Sequence, residues 1–107
     1  MYYPYYNKMY NSVYNQGYNK EYVFTTLNKI IEQGLSMMNR NNPLEERQFQ
    51  MWIEFSREMI QLATKDTSLN LYANYMSIIL TMYNTKLSAE EKLLYCIKYL
   101  LEVMKSL

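Results

Sequence analysis

Nineteen consecutive residues, 67 to 85, carry no formal charge. A stretch of that kind must be covered on most sides, by lipid or by the rest of the protein. Eight of its side chains are polar: Thr67, Ser68, Asn70, Asn74, Ser77, Thr81, Asn84 and Thr85. That polarity is too high for a membrane span. The segment therefore reads as a deeply buried helix over 69–84, and other helices must supply its cover. Two apolar stripes run along it. One is Leu69, Tyr72, Ala73, Met76, Ile79, Leu80 and Tyr83; the other is Leu71, Tyr75, Ile78 and Met82. A simple four-helix bundle covers only one face of each member, so the surplus predicts a central position or an oligomer interface.

The neighbouring segments supply that cover. Val23, Phe24, Leu27, Ile30, Ile31, Leu35 and Met38 recur at i, i+3, i+4, i+7, which predicts a helix over 20–39. The run Asn39-Arg40-Asn41-Asn42-Pro43 ends it. A second helix follows, with Asn42 as cap, Pro43 at the first helical position and Glu45 three residues after the cap. Its apolar set runs from Leu44 through Phe49, Met51, Trp52, Ile53, Phe55, Met59, Ile60, Leu62 and Ala63. Asp66 or Ser68 is expected to cap the third helix. The fourth opens on a capping box, Ser88 with Glu91, and carries Leu93, Leu94, Ile97, Leu100, Leu101 and Met104. Only two glycines and two prolines occur in 107 residues, which fits helices with short connections.

Residues 1–19 differ in composition. Tyrosine recurs every fourth residue at Tyr2, Tyr6, Tyr10, Tyr14, Tyr18 and Tyr22, and asparagine follows four of the six. Each step of four advances a helix by about 400°, so the rings drift by about 40° per repeat. In an extended chain every fourth residue shares a face. With Pro4 and Gly17 as interruptions, the segment reads as an extended or disordered Tyr/Asn-rich arm. The expected organisation is thus this arm, 1–19, before an all-α, four-helix bundle-like domain, 20–107.

The chain offers little for catalysis. It has no histidine, which removes histidine-based nucleophilic pairs and histidine-ligated metal. Its one cysteine, Cys96, sits near an apolar stripe and is expected to be a small buried side chain. Glu54 and Glu58 share a helix face, but with Arg57 and Gln61 beside them they read as solvated surface. No Gly-rich phosphate loop is present. Eleven basic and ten acidic residues nearly cancel, giving a net charge of +1. Electrostatics therefore give no general reason to seek nucleic acid or an anionic membrane. Arm tyrosines with Lys8 and Lys20 resemble a base-stacking surface for single-stranded nucleic acid, short of charge.

These observations converge on a non-enzymatic protein, with no cofactor and no metal, that self-associates or binds another protein. Tyr, Trp and Met are enriched at interfaces, and interface cores are poor in charge. The expected contact residues are Tyr6, Tyr10, Tyr14 and Tyr18 in the arm, with Tyr72, Tyr75, Met82 and Tyr83 on the third helix. The bias toward Tyr, Asn and Met fits a small accessory or assembly protein of a virus or mobile element. Such a protein is a homo-oligomer or an inhibitor docking on a host protein, placed in the cytoplasm or a virion.

Overall fold

A computed structural model describes residues 20–38, 41–65, 67 and 69–107. The arm and its tyrosines lie outside the described residues. Four helices follow in order: α1 (Lys20–Met38), α2 (Glu46–Thr64), α3 (Leu71–Tyr83) and α4 (Ala89–Ser106). Each packs antiparallel to the next. The parallel pair α2 and α4 touch across the middle, with α1 on one side of that pair and α3 on the other; α1 and α3 make no contact. The domain is all-α, as the apolar spacing predicted.

The helix boundaries show which local chemistry prevails. At α4 the Ser88 hydroxyl accepts from the Glu91 amide at 3.2 Å, and Glu91 accepts from the Ser88 amide at 2.9 Å. The expected capping box is present. At α2 the expectation was wrong by one turn. Asn42 and Pro43 precede the helix, and Glu45 is the cap residue, its amide donating to Gln48 Oε1 at 2.9 Å. Gln48 lies three residues beyond Glu45 and satisfies an N–H there that Pro43 cannot help. Between α2 and α3, Thr67 shapes the turn: its hydroxyl donates to the Thr64 carbonyl at 2.8 Å and accepts from the Leu69 amide at 3.2 Å. Asp66 and Ser68 lie outside the described residues, and α3 starts after Asn70.

The core is built as two wedges that share α2 and α4. In the first, α1 is drawn unusually close to both. A Cβ on Gly34 would stand 3.0 Å from Trp52 Nε1, 3.1 Å from Trp52 Cε2 and 3.0 Å from Ile97 Cδ1. The missing side chain is the space the indole occupies. Trp52 is 2% exposed, and its Nε1–H donates to the Ile30 carbonyl of α1 at 3.0 Å. The large ring is thus buried with its polar group satisfied. Glycine costs about 1 kcal/mol in a helix interior relative to alanine. Here that cost is offset by the close crossing it permits.

The second wedge seats α3. Leu71, Tyr75, Ile79 and Met82 are buried against α2 and α4. Tyr75 and Ser56 are both fully buried, and their oxygens are 2.7 Å apart. Ser56 also donates its single hydroxyl proton to the Ile53 carbonyl at 2.9 Å. Tyr75 must therefore be the donor to Ser56. The Tyr75 ring lies nearly parallel to that of Tyr99 on α4, with centroids 6.1 Å apart.

Two stability measurements test these wedges. Gly34→Ala gains helix propensity, but its methyl meets a rigid, hydrogen-bonded indole, and overpacking costs about 1–3 kcal/mol. The substitution should lower the urea midpoint, by an amount worth about 1 kcal/mol; a raised midpoint contradicts the close crossing. Ser56→Ala strands the Tyr75 hydroxyl in the core and should cost about 1–3 kcal/mol. Tyr75→Phe leaves Ser56 its Ile53 partner and should cost less. The double variant should be clearly better than the sum of the two, whereas additive losses contradict a direct buried bond.

Candidate interaction surface

Among the described residues, no group of three or more His, Cys, Asp or Glu side chains is placed to hold a metal ion. No helix searched is long and apolar enough to cross a membrane. Cys96 is fully buried on α4, and burial pushes its thiol up to about 12. A thiol of that kind is a poor nucleophile. Glu54 and Glu58 are exposed on α2. Burial raises the hydroxyls of Tyr75 and Tyr99 above the usual tyrosine range, keeping both neutral.

One polar cluster joins three helices. Tyr83, the last residue of α3, donates its hydroxyl to Gln50 Oε1 at 3.0 Å. Gln50 Nε2 donates to Glu46 Oε2 at 3.2 Å, and Lys92 Nζ donates to the same oxygen at 2.6 Å. Lys92 is buried on α4, with its ammonium 5.2 Å from the centroid of the Phe49 ring. The Lys92 ammonium bonded to Glu46 holds that carboxyl below its ordinary value of 4.5, opposed by partial burial and helped by Gln50. The cluster clasps the start of α2 to the end of α3 and the start of α4. Its shape is structural, because the ammonium is enclosed between Glu46 and a ring.

The predicted contact residues separate into three groups. Tyr6, Tyr10, Tyr14 and Tyr18 lie outside the described residues. Tyr75 and Met82 are core side chains, at 0% and 1% exposure, so neither presents a contact surface. The reason is that the inward face takes Leu71, Tyr75 and Met82 from one predicted stripe and Ile79 from the other, while Tyr72, Met76 and Ile78 are half-buried and Leu80 and Tyr83 are exposed. Tyr72 is half-buried beside Gln61, Thr64, Leu69 and Ala73. Tyr83 is exposed along its ring and committed at its hydroxyl to Gln50.

Apolar surface not foreseen from the sequence lies on α2. Met51 is 66% exposed, Leu62 60% and Phe55 39%. Spacings of four and seven residues place all three on one side of the helix. Met51 and Phe55 also line an open groove of about 520 Å³ against α1, with Gln33, Met37, Gln48 and Trp52. A second depression on α2 begins at the same two residues and is edged by Glu54, Arg57, Glu58 and Gln61. The signal was present in the sequence. Met51, Phe55 and Leu62 are rotated by about 100–140° from the line of Ser56, which is too far round for one buried face. They were expected in the core because they are apolar.

No protein-family model, curated protein or solved structure matches the chain.

The Glu46–Lys92 contact has a pH signature. A carboxylate whose folded value is depressed stabilises the fold above its unfolded value, and that stability is lost as pH falls through the folded value. Below pH 4.5 the urea midpoint of the native chain should therefore fall more steeply than that of Lys92→Met. Glu46 is half exposed, so the difference is small. Parallel acid profiles contradict the link.

Proposed function

We propose that this protein is a non-enzymatic, self-associating binding or structural protein, and that α2 supplies its principal contact face. The observation that carries this reading is the aligned trio Met51, Phe55 and Leu62, large and apolar yet open to solvent. Single exposed apolar residues are normal on a protein surface; an aligned set beside a groove is what interfaces use. Methionine and phenylalanine are also favoured residue types at interfaces.

A second copy fits this face by charge. Glu54, Arg57 and Glu58 border the apolar trio, two acids about one base. When two α2 helices meet antiparallel about a two-fold axis, Arg57 of each faces Glu54 and Glu58 of the other. A surface that complements itself in this way suits an isologous dimer. Tyr72 and Tyr83 flank the far edge of α2.

Sedimentation velocity of the full chain across a concentration series tests this. The native chain should show a mass above the monomer, and the double variant Met51→Glu, Phe55→Glu should sediment as a monomer with unchanged helical circular dichroism. A native chain that stays monomeric at high concentration contradicts self-association, and an oligomer indifferent to the double variant contradicts this face.

A further inference from the structure

Along the seam between α1 and α4, four large apolar side chains stand nearly half open. Phe24, Leu35, Leu94 and Leu101 are 42–48% exposed. Phe24 lines a groove of about 500 Å³ with Leu101 and Met104, rimmed by Lys98, Glu102 and Lys105. The two helices run antiparallel here, since Phe24 meets Leu101 while Gly34, further along α1, meets Ile97. Leu35 lies eleven residues beyond Phe24, and Leu94 seven before Leu101. Both intervals return to the same helix face within about 20°. The groove pairs Phe24 with Leu101, and helical periodicity sets Leu35 and Leu94 on the same two faces further along, as a second apolar rung. The rung separation is about 10 Å measured along α4 and about 16 Å along α1.

The chain itself holds a segment that matches this strip. Helix α1 begins at Lys20, one turn before Phe24, so residues 1–19 join the domain at the first rung. Within them Tyr10 and Tyr14 are four residues apart. In an extended strand that interval is about 13 Å and puts both rings on one side. The distance falls between the two measures of the rung separation. A segment that runs back along the seam needs a reversal between Tyr14 and Lys20, and Gly17 in that interval of the sequence accepts the backbone angles of a tight reversal. The ten residues from Lys20 back to Tyr10 span up to about 33 Å. The path along α1 from Lys20 to Leu35 is about 22 Å. Residues 9–18 carry no charge, so neither the lysines nor the glutamate of the rim repel them. Tyrosine also has the right two ends for such a groove, an apolar ring for the floor and a hydroxyl for the charged rim.

We propose that the chain's own N-terminal segment covers the α1–α4 seam, with Tyr14 at the Phe24–Leu101 rung and Tyr10 at the Leu35–Leu94 rung. Attachment at the rung's edge gives the segment an effective concentration far above that of a second copy, which favours the intramolecular contact. This assignment does not depend on self-association through α2.

Methyl NMR on the full chain tests it. Ring currents should displace the Leu94 and Leu101 methyl signals, and Tyr10→Ser, Tyr14→Ser should return them toward ordinary leucine values. The control Tyr3→Ser, Tyr5→Ser should leave them in place. Nuclear Overhauser contacts between the tyrosine rings and these methyls should appear in the uniformly labelled protein. In an isotope-filtered mixture of labelled and unlabelled chains they should be absent. Contacts seen in the filtered mixture assign the seam to a second copy and overturn the proposal. So does a set of leucine methyls that ignores Tyr10 and Tyr14.

Discussion

The fold rests on the absence of a side chain at Gly34. A methyl there would stand 3.0 Å from the Trp52 ring nitrogen and 3.0 Å from Ile97. Without it, α1 comes close enough to α2 for the indole to reach the Ile30 carbonyl at 3.0 Å. The indole then fills the space between α1 and α2 while Ile97 closes the same notch from α4. Three helices are fixed by one cluster. The hydrogen bond matters through what its loss would leave, a buried donor with no partner, more than through its net strength.

The position of α1 decides what remains outside. With α1 seated between α2 and α4, Met51 and Phe55 on one flank and Leu94 and Leu101 on the other stay partly open to solvent. The opposite wedge closes differently. There the buried polar pair Ser56 and Tyr75 requires one relative placement of α2 and α3, and the Tyr83–Gln50–Glu46–Lys92 chain ties the helix ends together. Burial is thus specified most sharply at the centre, and two apolar margins are left along α2 and along the α1–α4 seam. In the functional reading we favour, both margins are contact surfaces rather than pockets for chemistry, α2 for a second copy and the seam for the chain's own N-terminal segment.

Much of the fold was legible because helices declare themselves by period. The four helices, the Ser88–Glu91 box and the buried Cys96 follow from spacing and residue type alone. The start of α2 was misread because two capping signals compete within a few residues, and Gln48 satisfies the later one. The inward face of α3 could not be read from hydropathy, since its two stripes are nearly equal and tyrosine serves either side. What selects Tyr75 for the interior is a serine on another helix, a tertiary fact. The role of Gly34 was likewise hidden, since its partner Trp52 lies eighteen residues away in sequence. The outward face of α2 was hidden for the opposite reason: apolar residues were assigned to the core by type, although their angle pointed elsewhere.

The dependence of the fold on this crossing can be measured at the Trp52 indole proton. Hydrogen exchange of that proton, followed by NMR in the full chain under conditions where opening is in rapid equilibrium, gives its opening free energy. It should match the free energy of global unfolding obtained from urea denaturation, because the indole is released only when α1 leaves α2 and α4. Exchange through a much cheaper local opening, with the remaining core amides still protected, would contradict the account.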